Sequence, residues 1–160
     1  MEFVNSSSNY FLNKSTYINL RWIGIIGQFL TINIVAFIFK FEFNYILSNV
    51  IVIFGAISNI FLISYNRSTQ LSNKISFYYL LADILQLSLL LYLTGGILNP
   101  FSVFLIIPSV FASSNLNIKT NLILILVTIL SISVLTLYHQ ELPSPLNDYK
   151  LSNYYYYSIP

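Results

Sequence analysis

The connection between two long apolar stretches contains the residue types best suited to contact a small ligand. It reads Thr94-Gly95-Gly96-Ile97-Leu98-Asn99-Pro100-Phe101. Two glycines allow a flat ligand to approach the backbone closely, and the primary amide of Asn99 can donate or accept a hydrogen bond. The ring of Phe101 offers a face or an edge for packing. These properties predict a binding site for a planar, oxygen-bearing molecule.

A purely structural interpretation explains the same segment. Glycine ends a helix by adopting the left-handed conformation, asparagine caps the helix that follows, and proline suits the first helical position. Without further information, the segment favours this ordinary turn over a binding site, and both interpretations stay open.

A second candidate is the acid Asp83, which interrupts an otherwise apolar stretch. An ionisable group inside a membrane segment indicates a functional site. Gln86 lies three residues further on and Thr94 eleven, so a helix would place all three on one face as a polar stripe, with Asp83 and Thr94 about 16 Å apart along its axis. The stripe predicts either a ligand or proton site or hydrogen bonds that join helices.

Other chemistry finds little support in the sequence. The segment beginning at His139 superficially resembles a histidine phosphoacceptor box, but it carries Pro143 and Pro145, which would break the required helix. One histidine without fixed co-ligands is a poor metal site, and the chain has no cysteine. No glycine-rich phosphate loop or nucleophile motif occurs, so we predict no catalytic and no metal site.

The elements that position these residues follow from composition. The chain of 160 residues is 56% hydrophobic and only 8% charged, which indicates a membrane protein. Its apolar residues form long continuous stretches, as expected for an all-α polytopic transmembrane helical bundle. The predicted spans are residues 22–39, 45–65, 75–94, 101–116 and 120–138. Residues 1–20 are predicted to be a cytoplasmic N-terminal segment, and residues 21–160 a transmembrane domain.

Basic residues in short loops predict the orientation. One side of the membrane would carry Lys14, Arg21, Arg67, Lys74 and Lys119, and the other only Lys40 and Lys150. The N-terminus is therefore predicted to be cytoplasmic, with the turn after Thr94 outside. A net charge of +2 with no basic stripe excludes nucleic-acid binding.

The last residues, from about Leu151, resemble the start of a sixth span. Tyr154 to Tyr157 would suit the aromatic belt at a membrane interface. No apolar run follows them, so we expect a chain truncated as a sixth span begins. The alternative is a disordered aromatic tail.

Two segments carry a resemblance to a known family. The stretch from Asp83 to Phe101 closely resembles the membrane domain of redox-sensing histidine kinases of the RegB, PrrB and ActS type, whose signature is a GGxxNPF turn. The segment from Leu20 to Gln28 resembles the start of the first span in those proteins. The resemblance covers about residues 20–146.

This resemblance implies a six-helix sensor in the bacterial inner membrane that reads the redox state of the quinone pool. The residues matching the signature are Gly95, Gly96, Asn99, Pro100 and Phe101, with a ubiquinone-like quinone as the sensed ligand. It also implies a homodimer embedded in membrane lipid, and a response regulator that acts through a kinase part. That kinase core, with its phosphoacceptor helix, is missing from this sequence.

Two hypotheses from other classes remain. In a small transporter or energy-coupling subunit, Asp83 would bind a proton or a substrate. In a structural membrane subunit, the glycine turn would bind no ligand.

Overall fold

Helices make up almost all of the computed structural model, which describes residues 12–65, 70–142 and 144–145. The α-helices within those ranges are α1 (Lys14–Asn33), α2 (Tyr45–Tyr65), α3 (Asn73–Leu93), α4 (Ile107–Asn115) and α5 (Ile118–Leu137). A π-helical turn, Ile34–Ile38, continues α1, and two 3-10 segments, Gly96–Leu98 and Pro100–Ile106, precede α4. Four of these helices are long and apolar enough to cross a membrane: α1 with its continuation to Ile38, α2, α3 and α5.

The first helix begins at Lys14, eight residues before Trp22, where the first predicted membrane span starts. The side chain of Asn13 caps it by accepting hydrogen bonds from the amides of Ser15 and Thr16. The predicted span excludes Arg21 because a cation normally marks a loop. Here the end of the predicted N-terminal segment 1–20 is helical, and Arg21 lies within α1 with its charge paired inside the bundle.

The fourth apolar segment differs from a regular span. The first seven residues of this segment, Pro100–Ile106, form a 3-10 helix, and the next nine form α4. With rises of about 2.0 Å and 1.5 Å per residue, the two pieces together reach about 27 Å, against about 24 Å for an α-helix of the same residues. Pro108 lies in the first turn of α4, where its missing amide costs little. The amide of Ile107 donates to the carbonyl of Phe104, so that carbonyl is not left free.

Contacts between loops show which helix ends lie together. Leu12–Asn13, before α1, pairs antiparallel with Gln70–Leu71, before α3. The side chain of Asn73 accepts a hydrogen bond from the amide of Asn117, which places the start of α5 beside the start of α3. At the opposite end, Phe41–Glu42 pairs with Ser144–Pro145. The helices therefore alternate in direction, as expected for a bundle in a membrane.

The core consists of two clusters of buried side chains. The larger one joins α3, α4 and α5 through residues such as Ile84, Ala112 and Leu124, and the smaller one joins α1, α2 and α3. Between α4 and α5, the buried hydroxyls of Ser109 and Thr128 are hydrogen-bonded at 2.7 Å. Many large apolar side chains elsewhere are exposed, which suits a surface in contact with lipid.

Some sequence predictions concern residues outside the described ranges. They are the N-terminal residues 1–11, the topology signals at Arg67 and Lys150, Pro143, and the predicted sixth span with Tyr154 to Tyr157.

Candidate functional site

A cavity of about 700 Å³ lies between α1 and α3, with the chain from Asn99 to Phe111 along its side. We call it the groove. Its volume falls within the range of small-molecule sites, and its wall is mostly apolar with a few polar groups, which is the usual composition of such sites. The polar residues that line it are Tyr17, Arg21, Gln28, Thr31, Asp83, Gln86, Thr94 and Asn99.

An ion pair lies at one end of the groove. Nη2 of Arg21 is 2.8 Å from Oδ1 of Asp83, and Nε of the same guanidinium donates to that oxygen at 2.9 Å. The second carboxylate oxygen accepts a hydrogen bond from the hydroxyl of Tyr17 at 2.5 Å. Both oxygens of Asp83 are thus engaged, and its side chain is only 20% exposed. A charge inside a membrane is tolerated when it is paired in this way.

The guanidinium of Arg21 also contacts α2. Nη2 donates to the hydroxyl of Ser58 at 3.2 Å, and Nη1 is 3.4 Å from the side-chain oxygen of Asn59. The rings of Tyr17 and Tyr79 lie 5.6 and 5.4 Å from its central carbon, within the range of cation–π attraction. Arg21 therefore joins the first three helices at one point.

A pair of amides bridges the middle of the groove. Nε2 of Gln86, on α3, donates to Oε1 of Gln28, on α1, at 3.1 Å. The side chain of Gln86 lies against Gly55 of α2, where a Cβ atom would be 2.5 Å from Oε1 of Gln86. Glycine at this position therefore leaves the room that Gln86 needs to reach across the groove. By contrast, a Cβ atom on Gly24 or Gly27 of α1 would have no neighbour within 4 Å, so these glycines do not provide a close helix contact.

The predicted turn is held together by its own side chains. The side-chain nitrogen of Asn99, Nδ2, donates to the backbone carbonyl of Thr94 at 3.0 Å and to its hydroxyl at 2.8 Å. The amide oxygen of Asn99 accepts from the backbone of Phe101 at 2.9 Å, as a helix cap does. Both N–H groups of Asn99 are therefore already used within the turn.

The two glycines of the turn pack against the segment that follows α5. Both have positive φ, +105° for Gly95 and +57° for Gly96. A Cβ on Gly95 would overlap Leu142, and one on Gly96 would lie 2.8 Å from the carbonyl oxygen of Leu135 and also overlap His139. Protein atoms thus occupy the space that the sequence predicts for a flat ligand, and neither glycine lines the groove.

The remaining predicted residues do border the groove. Pro100 and Phe101 lie on its wall with Asn99, at the end opposite the ion pair. The ring of Phe101 is 41% exposed and packs against Phe104 with the ring centroids 5.7 Å apart. The stripe predicted from Asp83, Gln86 and Thr94 also faces the groove. The stripe and part of the turn therefore border one cavity.

Sequence reasoning missed the partners on α1. Arg21 served there only as a signal of topology, although an acid inside a membrane segment needs a cation nearby. Tyr17 and Arg21 are four residues apart, so they share one helix face, and that spacing was the available signal.

In the described part of the chain, no group of residues suits a metal ion. The ring of His139 hydrogen-bonds the carbonyl of Leu135 at 2.9 Å.

Together, the apolar helices and the buried ion pair define a multi-pass helical membrane protein. The family model of the PilS-like transmembrane domain, a six-helix domain, matches residues 17–158, and the chain belongs to this family. It is 32% identical over 112 residues to the sensor histidine kinase RegB of Cereibacter sphaeroides, which covers 68% of this chain and 24% of that protein. The chain thus spans about a quarter of the length of that relative. No solved structure matches it.

These comparisons confirm the resemblance to the membrane sensor domain of RegB-type kinases that the segments around Gly24 and Gly95 indicate. The predicted count of five spans and the start of a sixth stays a prediction. The family has six helices, and four of the described helices have the length of a span.

Proposed function

We propose that this chain is the sensing domain of a two-component histidine kinase and that the groove binds membrane quinone, so that the redox state of the quinone pool is read there. The similarity to a sensor histidine kinase supports the first part. The observation that carries the second is the groove itself, an apolar cavity with separated polar groups between two membrane helices.

The sensing step would be differential binding. A quinone presents two carbonyl acceptors, whereas the reduced quinol presents two hydroxyl donors. Polar groups of fixed geometry in the groove favour one form. A ligand shifts a signalling equilibrium only by its difference in affinity for the two states, and a tenfold difference corresponds to about 1.4 kcal/mol.

The contacts across the groove provide a route for the signal. Helix α1 meets α3 through the bonds of Asp83 with Tyr17 and Arg21, and through the amide pair of Gln28 and Gln86. A ligand between the helices would compete with these bonds or strengthen them. The shift would reach a response regulator through a kinase part in a homodimer within the bacterial inner membrane, with the N-terminus in the cytoplasm.

A transporter that uses Asp83 gains no support from this geometry. Both carboxylate oxygens already accept hydrogen bonds, from Arg21 and from Tyr17. A proton or substrate carrier needs a carboxylate that exchanges partners during each cycle.

The test is a thermal-stability measurement in lipid nanodiscs with and without decylubiquinone. We expect the quinone to raise the melting temperature of the unmodified chain. The rise should shrink in Phe101→Ala, which removes a wall of the groove, and persist in Leu98→Ala, a matched control whose side chain is 65% exposed and lies outside the groove. Absence of any rise in the unmodified chain would contradict quinone binding.

A further inference from the structure

The amides of Gln28 and Gln86 retain unused hydrogen-bonding capacity. The bond between them takes one N–H of Gln86 and one lone pair of Gln28. Within the described residues, the amino group of Gln28 and the carbonyl of Gln86 contact no further donor or acceptor. Exchanging the oxygen and nitrogen of both amides would still leave one amino group and one carbonyl free.

These free groups lie far from both ends of the membrane helices, at a depth where we expect little water. Gln28 is fourteen residues after Lys14 in the first membrane helix, and Gln86 is seven residues before Leu93 in the third. Both side chains are half-buried and face the groove. A polar group in an apolar environment without a partner is costly, so a ligand that supplies the partner gains affinity.

The turn offers less to such a ligand. Both N–H groups of Asn99 are bonded to Thr94, so a ligand carbonyl could take one only by breaking a bond that holds the turn. The carboxylate of Asp83 is likewise engaged at both oxygens. The glutamine pair, by contrast, offers the groove a free donor and a free acceptor side by side.

We propose that Gln28 and Gln86 are the polar contact for the ring of the groove's ligand, a quinone or quinol. The amino group of Gln28 donates to a ring carbonyl, and the carbonyl of Gln86 accepts from a ring hydroxyl in the reduced form. Phe101 and the turn then contact the apolar part of the ligand. This inference rests on the proposed function and assigns a polar site within it.

A substitution at Gly55 can test the position of the Gln86 amide without removing it. A methyl group at this position would meet the amide of Gln86 at 2.5 Å and displace it, while every polar group of the groove is retained. Loss of binding in Gly55→Ala would therefore report on the placement of the amide.

The experiment measures quenching of Trp22, the one tryptophan of the chain, by decylubiquinone in nanodiscs. Trp22 packs against the cluster that contains Ile25 and Leu90, both of which line the groove. The variants are Gln28→Met, Gln86→Met and Gly55→Ala. We expect each to raise the Kd at least about tenfold, equivalent to about 1.4 kcal/mol. The matched control is Asn33→Leu, which removes an amide of the same helix that pairs with Asn49 outside the groove.

The outcomes separate the two claims. Saturable quenching that weakens in all three variants but not in the control supports the glutamine site. Saturable quenching that keeps its Kd in the variants overturns this inference and leaves quinone binding in place. Quenching of the unmodified chain that never saturates overturns both. Circular dichroism of each variant checks that a raised Kd does not come from unfolding.

Discussion

At the scale of single residues, the charge pair of Arg21 and Asp83 is expensive to place inside a membrane bundle. Each charge needs a partner because the surrounding lipid cannot solvate it. The side chain of Arg21 is only 5% exposed, and its guanidinium contacts groups of α2 and α3. Removal of one partner leaves the other charge buried and unpaired, and this destabilises the folded protein more than removal of both partners.

This asymmetry gives a prediction for a double-mutant cycle. Arg21→Met should lower the free energy of unfolding by about 3 kcal/mol, since loss of one member of a buried pair costs about 3–5 kcal/mol and Asp83 is partly exposed. Arg21→Met combined with Asp83→Leu should recover much of that loss. Titration with a denaturing detergent measures both. A double variant that is less stable than Arg21→Met would contradict the pairing.

The sequence indicates Asp83, Gln86 and Thr94 as one polar face because helical periodicity relates residues of the same segment. It does not indicate Arg21 or Gln28 as their partners. Those contacts depend on how α1 packs against α3, and spacing along the chain carries no information about this. The same limit applies to Asn99. The sequence alone does not tell whether its side-chain amide bonds a ligand or Thr94.

At the scale of elements, three features hold the turn between α3 and the 3-10 segment Pro100–Ile106 in place. Thr94 and Asn99 bond each other, the glycines adopt positive φ, and the amide of Gln140 donates to the carbonyl of Tyr92 at 2.9 Å. Glycine is required here by backbone conformation and by the closeness of the chain after α5. The structural interpretation therefore explains Gly95 and Gly96, while Pro100 and Phe101 remain available to a ligand.

Gly96→Ala tests this explanation. An alanine at φ +57° is strained, and its Cβ would press on the carbonyl of Leu135. We expect a loss of at least about 2 kcal/mol in stability, from left-handed strain and displacement of the end of α5. The control Leu98→Ala, in the same turn, should change stability by less than about 0.5 kcal/mol. Equal melting temperatures for Gly96→Ala and the unmodified chain would contradict the explanation.

At the scale of the whole molecule, the helices alternate in direction and the basic residues Lys14, Lys74 and Lys119 lie near one end. The order and type of the long helices could be predicted because each is a continuous apolar run. The structure of the fourth segment could not be predicted, since the sequence does not reveal that part of it is a 3-10 helix, which is longer per residue. The sequence also does not reveal that the helix containing the first predicted span begins at Lys14, because a paired arginine looks like a loop residue in the sequence.

Orientation in the membrane is a prediction from these basic residues, and the chain is well suited to test it because it has no cysteine. A thiol in Leu98→Cys should react with a membrane-impermeant maleimide added to intact cells. A thiol in Ile118→Cys, at the opposite end and 73% exposed, should react only after the cells are permeabilised. The reverse pattern would place the turn in the cytoplasm and contradict the predicted orientation.

The bond between Arg21 and Asp83 joins residues 62 positions apart, and this separation has a consequence for biogenesis. The first helix leaves the ribosome with Arg21, about two turns from its start, as a cation that has no counter-ion yet. Its counter-ion is synthesised only with the third helix. We therefore expect the first helix to reach its lowest-energy position in the bilayer only after the third has entered.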